Sequence, residues 1–334
     1  MSSLFQWIAV FFVFFCVCSC EPDVKKKADS ITRDHDSIPG LQLAAHDTLN
    51  KPYIPGDKLT YEQAYNKALT LFPVPFVEQD IKTRFGNAHV LVSGPETGEP
   101  IVLLHGMNAS STMWYPNIKA LSEHYRVYAI DNFLEPGKSQ YIGQASGIED
   151  VVNWYFEIFD QLQLKKINLV GASRGGWVSV NLALHSPARI KKLILLSPAQ
   201  TFGILKPGLG IYSDINYSVN PKRKNLRDFL ETMSAHVDSM HQIFINQYYL
   251  ATKKSQIDMN ILTMQPFSRR ELKKLNMPVC VMIGDMDIIN GAMSLRRAER
   301  LAKAKTAIIS HAGHFVSMDQ PADVNSRILD FLKK

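Results

Sequence analysis

The sequence predicts an α/β protein: a mostly parallel sheet with helices on both faces and an inserted helical cap. Three observations carry that prediction. Short apolar runs recur at residues 101–104, 127–130, 167–170, 193–196, 279–283 and 306–309, and continuous runs of that length suit parallel strands covered on both faces. Helical patterns lie between them, the alternation that builds a layered α/β sheet. Residues from about 200 to 270 then break the alternation with a stretch rich in Met and aromatics, including Phe229, Met233, Met240, Phe244, Tyr248, Tyr249 and Met259. A structureless loop of that length inside a compact domain is improbable, so the insert is expected to be helical and to cap the sheet.

The folded domain is expected to span residues 60–334. Thr60 and Gln63 have capping-box spacing. Tyr61, Ala64, Tyr65, Ala68, Leu69 and Phe72 then fall on one face of a helix, which Pro73 and Pro75 end. Residues 80–84 and 89–93, with a turn around Gly86-Asn87 between them, read as an antiparallel pair. Ser146 and Glu149 form a second capping box ahead of a helix over 148–162. Pro321 opens the last helix, with Val324, Ile328, Phe331 and Leu332 on its apolar face.

Residues 1–20 stand apart as a leader. Residues 4–18 are apolar and uncharged apart from Gln6. That is short for a membrane span, which needs about 20 residues, and suited to the apolar region of a secretion signal. Val17-Cys18-Ser19-Cys20 resembles a bacterial lipoprotein cleavage box, which implies lipidation of Cys20 and an extracytoplasmic, membrane-associated protein. The alternative is an uncleaved signal anchor, which Lys25, Lys26 and Lys27 would hold on the cytoplasmic side. Residues 21–59 are polar and carry four prolines, Pro22, Pro39, Pro52 and Pro55, which reads as a tether.

Composition narrows the function classes. Hydrophobic residues make up 46% of the 334, too many for a disordered chain. The net charge of +6, from 37 Lys and Arg against 31 Asp and Glu, is modest, and no clustered basic and aromatic motif accompanies it. No nucleic-acid partner is therefore expected. Three of the four cysteines lie in the leader, and Cys280 sits in an apolar run as a small buried hydrophobe. No Cys/His spacing suggests a metal. The sequence leaves the oligomeric state open.

One motif carries chemistry. Gly171-Ala172-Ser173-Arg174-Gly175 follows the run 167–170 and precedes a helical stretch to His185. A Gly-x-Ser-x-Gly turn between strand and helix is so tight that its outer positions must lack side chains, and it lifts the serine hydroxyl clear of the sheet. A serine needs a base, and the base an orienting acid. After such an elbow the chain order is serine, acid, histidine. His314, in Ala312-Gly313-His314-Phe315 on the loop after 306–309, is the expected base, with His311 as runner-up. Asp287, just past the strand 279–283, is the expected acid, with Asp285 as the alternative. The backbone N–H groups of Arg174 and Met107 are expected to form an oxyanion hole. The Arg174 side chain is expected to be solvated or structurally paired rather than to meet an acidic substrate.

These residues resemble those of the α/β-hydrolase superfamily, and Bacillus-type carboxylesterases in particular. The matching stretches are Thr83-Arg84-Phe85-Gly86, Leu103-Leu104-His105-Gly106, Met113-Trp114-Tyr115-Pro116-Asn117-Ile118, Ala312-Gly313-His314 and Gln320-Pro321. The resemblance implies an eight-stranded mostly parallel sheet, a helical cap and cofactor-free hydrolysis of a small or medium carboxylic ester, with Ser173, Asp287 and His314 on the triad positions. Residues 131–139 depart from the usual Asp-x-x-Gly-x-Gly pattern, so the resemblance does not set the shape of that loop. A small-molecule receptor on the same fold, or another triad activity such as a lipase, lactonase, peroxidase or C–C hydrolase, stands as the alternative function.

Overall fold

A computed structural model describes residues 59–142, 145–203, 217, 221–255 and 264–333. The expected leader, its Cys20 and the tether up to residue 58 lie outside the described residues.

The sheet follows from the apolar runs. Its strands are β1 (Phe76–Thr83), β2 (Gly86–Ser93), β3 (Glu99–Leu104), β4 (Tyr125–Ile130), β5 (Gln140–Tyr141), β6 (Ile167–Ala172), β7 (Ile190–Leu196), β8 (Val279–Gly284) and β9 (Lys305–Ile309). Eight of them run in the order β1-β2-β4-β3-β6-β7-β8-β9, and the two-residue β5 pairs with β2 off that path. The six strands from β4 to β9 along this order pair in parallel, whereas β2 is antiparallel to both of its long neighbours.

Alternation along each strand divides the core into two layers. Val102 and Leu104 of β3 join Leu169, Leu193 and Val281 on one face. Ile101 and Leu103 join Val170, Ile194 and Met282 on the other. The first layer is covered by α3 (Ile148–Gln161), α4 (Arg174–His185) and α8 (Ala292–Ala302). The second is covered by α1 (Tyr61–Leu69), α2 (Ile118–Ser122) and α10 (Pro321–Lys333). The expected apolar face of α10, Val324, Ile328, Phe331 and Leu332, is buried.

Two local expectations are corrected. The hairpin turn is Arg84-Phe85, because Thr83 already pairs with Gly86. Gly86 belongs to β2 at φ +120°, and a Cβ there would collide with the Gln140 carbonyl where β5 docks, so this strand position requires glycine. Ser146 does not cap α3. Gly147 is the N-cap, and Asp150 reaches back to accept from the Ser146 N–H and hydroxyl, both at 2.7 Å. The Thr60–Gln63 box on α1 forms as expected.

Between β7 and β8 the chain leaves the sheet. The described part holds α5 (Arg223–Met233), α6 (Gln242–Lys254) and α7 (Arg269–Leu272). Helix α6 lies over the loop after β3. Gln247 is buried there, accepting from the Thr112 hydroxyl at 2.6 Å and donating to Ser110 Oγ at 2.7 Å. Among the described residues no helix is long and apolar enough to cross a membrane.

Candidate active site

The site is built on the turn between β6 and α4. Ser173 has φ 50° and ψ −116°, a region non-glycine residues occupy at a cost of about 1–3 kcal/mol. The surroundings enforce it. Ser173 N–H donates to the Leu196 carbonyl at 2.9 Å, and the Ser173 carbonyl accepts from Gly176, Trp177 and Ala199 at 3.0–3.2 Å. A Cβ at Gly171 would strike Gly175 and Ser179, and one at Gly175 would strike the carbonyls of Leu104 and His105. Gly175→Ala is therefore expected to cost about 1–3 kcal/mol of stability through overpacking, read as a lower denaturant midpoint, and to reduce turnover by shifting the first turn of α4.

His314 reaches Ser173 from the tip of β9, and Asp287 reaches His314 from the tip of the neighbouring β8. His314 lies on the loop after β9 and is buried. Its Nε2 is 2.8 Å from Ser173 Oγ and its Nδ1 is 3.0 Å from Asp287 Oδ1. Asp287 follows β8 and is also buried. Its Oδ1 accepts from the N–H groups of Ile289 at 2.9 Å and Asn290 at 3.2 Å, and its Oδ2 from the Asn290 side chain at 3.0 Å. Burial pushes the Asp287 carboxyl up, but His314 and these donors outweigh it and hold the carboxyl below its ordinary value. An ionised carboxylate only accepts, so Nδ1 carries the imidazole proton and Nε2 is left to accept from the Ser173 hydroxyl.

The alternatives fall outside this relay. Asp285 is exposed and accepts from the N–H groups of His311 at 3.0 Å and Ala312 at 3.1 Å, which hold its carboxyl below the ordinary range. It stitches the end of β8 to the histidine loop. His311 sits in that stitch in the left-handed region, at φ 54°.

A second carboxylate holds the loop from beneath. Asp319 ends α9 (Val316–Asp319) and is buried. It accepts from the Gly313 N–H at 2.7 Å, the Ala235 N–H at 3.0 Å and the Ser234 hydroxyl. Phe315 N–H donates to the Met233 carbonyl at 3.0 Å. The end of α5 is thereby tied to both neighbours of His314. Nothing in the sequence marked this function of Asp319 or that of Asn290, because each acts on backbone or side chains that only the fold brings near.

On the other side of Ser173 runs His105-Gly106-Met107-Asn108. This loop lies against the serine: a Cβ at Gly106 would be in van der Waals contact with Ser173 Cβ, at 3.4 Å. His105 is buried, and its Nε2 accepts from the Asn132 N–H at 2.8 Å while Nδ1 lies 2.8 Å from the Gly106 carbonyl. Burial holds its pKa below the ordinary value, so His105 is a neutral imidazole that shapes the loop. The N–H groups of Met107 and Arg174 have no protein acceptor among the described residues. The Arg174 side chain is buried against Glu135, the structurally paired role expected for it. The departing loop at 131–139 wraps around Asp131, whose carboxylate accepts from Ser111 N–H at 2.8 Å and Lys138 N–H at 2.7 Å. Among the described residues no group of His, Cys, Asp and Glu is placed to hold a metal ion.

A sheet of this order with a serine elbow, and with acid and histidine arriving from later strand tips, defines an α/β hydrolase. Residues 99–211 match the alpha/beta hydrolase fold family. The uncharacterized carboxylesterase nap of Bacillus subtilis (strain 168) is 34% identical over 289 residues, covering 84% of this chain and 94% of that protein. Carboxylesterase YbfK of the same organism is 30% identical over 281 residues, covering 82% and 94%. The crystal structure of naproxen esterase from Bacillus subtilis aligns with a TM-score of 0.77 at 33% identity, over 84% of this chain and 100% of that one. The chain belongs to the α/β-hydrolase family, among its carboxylesterase-like members.

Proposed function

We propose that this protein hydrolyses small or medium carboxylic esters through an acyl-enzyme on Ser173. The observation that carries the reading is the unbroken relay of Ser173 Oγ, His314 and Asp287, with contacts of 2.8 and 3.0 Å. As Ser173 Oγ attacks the ester carbonyl, its proton passes to His314 Nε2, and Asp287 stabilises the resulting imidazolium. The carbonyl oxygen becomes an oxyanion and takes the N–H groups of Met107 and Arg174, each such donor contributing about 10²–10³ in rate. Collapse of this intermediate expels the alkoxide, which His314 protonates, and leaves the acyl group on Ser173. Water then gives a proton to His314 and attacks the acyl carbon. The second intermediate releases the acid, and the proton returns to Ser173.

Labelling by a fluorophosphonate probe together with turnover of p-nitrophenyl esters tests the reading. Labelling without turnover would replace it with a ligand-binding function on the same fold. The Bacillus relatives named as carboxylesterases support an ester substrate. An ester panel of graded acyl length would set the preferred chain.

The leader supports a location. We propose that Cys20 is the lipidated first residue of the mature protein and holds it at an extracytoplasmic membrane surface. The support is the sequence Val17-Cys18-Ser19-Cys20 after an apolar run. Cys20→Ser is expected to leave an unprocessed or mislocalised precursor, whereas Cys16→Ser and Cys18→Ser are expected to matter less. Mass spectrometry of the membrane fraction checks this, and a chain still beginning at Met1 with Cys20 unmodified would make the leader an uncleaved anchor.

A further inference from the structure

Both groups assigned to the oxyanion hole are tied to one buried carboxylate. Glu135 and Arg174 have side chains only 1% and 3% exposed, and Glu135 Oε1 lies 2.8 Å from Arg174 Nη1. The other carboxylate oxygen, Oε2, accepts the backbone N–H of Asn108 at 3.0 Å. Arg174 Nη2 also lies 2.7 Å from Met107 Sδ. One oxygen of Glu135 thus holds the residue after the nucleophile, and the other holds the residue after Met107. Asn108 sits at φ 57°, a left-handed conformation open to asparagine, and Glu135 binds its N–H in that conformation.

We propose that Glu135 is a positioning residue of the oxyanion hole: through Arg174 and Asn108 it fixes the N–H groups of Arg174 and Met107 relative to Ser173. The inference rests on the acyl-enzyme reading of Ser173. A buried ion pair is a poor source of stability, since an apolar pair of similar volume often stabilises as well or better. Its worth here lies in direction. A carboxylate with two fixed acceptors spans the gap between the loop after β3 and the start of α4, which no pair of aliphatic side chains can do.

The double variant Glu135→Leu/Arg174→Leu separates this role from a merely structural one. It is expected to unfold at a denaturant midpoint close to or above that of wild type. It should nonetheless lose about 10- to 100-fold in kcat, the range for misplaced rather than absent oxyanion donors, with KM within about threefold of wild type. Inhibition by a trifluoromethyl ketone, whose serine-bound hemiketal places an oxyanion in the same hole, should weaken by the same factor as kcat. Glu135→Gln, which keeps the volume and one acceptor, is read by the same two measurements should the double variant fail to fold. A variant that keeps both kcat and ketone affinity within threefold of wild type overturns the proposal, as does a fall in kcat with ketone affinity unchanged. Wild-type protein that neither labels with fluorophosphonate nor turns over ester removes the esterase reading and this inference together.

Discussion

Ser173→Ala is expected to lower turnover of a p-nitrophenyl ester by at least about 10⁴-fold, with a loss near 10⁶ in kcat as the upper range for a serine nucleophile. What remains is the catalysis that binding and oxyanion donors supply without a nucleophile. The fold is expected to survive. Alanine keeps the Cβ, so the strained backbone at φ 50° is no worse off. The lost hydroxyl meets His314 Nε2, which can turn to water. Initial rates on preparations free of host esterase, alongside an unfolding curve, check both halves. Turnover within tenfold of wild type would move the nucleophile away from Ser173.

Asp287→Asn is expected to reduce kcat by about 10⁴-fold, against a few-fold at most for Asp285→Asn. The asymmetry comes from proton placement. Asp287 accepts from His314 Nδ1, which forces Nε2 to be the basic nitrogen. An amide at position 287 can donate to Nδ1 instead, and the proton then moves to Nε2, where it blocks removal of the Ser173 proton. Asp285 accepts only backbone N–H groups of the histidine loop, and a neutral amide oxygen still serves one of them. Stability carries a second signature. The folded-state pKa of Asp287 lies below its unfolded value, so its contribution is fully present above the ordinary carboxylate range, near pH 4, and is lost as pH falls through the lowered value. The unfolding midpoint of wild type should therefore drop more steeply with acid than that of Asp287→Asn. Equal slopes would mean that Asp287 is not held ionised by the folded protein.

The parts of this molecule that sequence reveals are those governed by local rules. Residues 167–170 are apolar without interruption and lead into Gly171-Ala172-Ser173-Arg174-Gly175, so strand, turn and helix are specified within one short segment. The two side chains that line up with Ser173, His314 and Asp287, could be picked out because the loops after residues 279–283 and 306–309 carry few titratable residues, and only Asp285 and His311 competed with them. The hairpin turn was misplaced by two residues because Gly86 answers to β5, where it pairs with Tyr141, 55 positions away along the chain, rather than to its own neighbours. The Glu135–Arg174 pair and the clamp of Asp319 on Gly313 were invisible for the same reason. Each joins segments whose approach is set by the sheet order, and a lone Glu or Asp in sequence reads equally well as a solvated surface charge.

The order in which the sheet adds its strands has a consequence for synthesis. Ser173 and His314 lie 141 positions apart in the chain, and β8 and β9 are the last two strands at their edge. A nascent chain emerges N-terminus first, at about 5–20 residues per second. It therefore presents a complete elbow while it still lacks both acid and base. Until the final two strands dock, the Ser173 hydroxyl has no His314 imidazole beside it. The groups that meet the Ser173 hydroxyl in the folded protein are carried by the last sixth of the chain, from β8 onward.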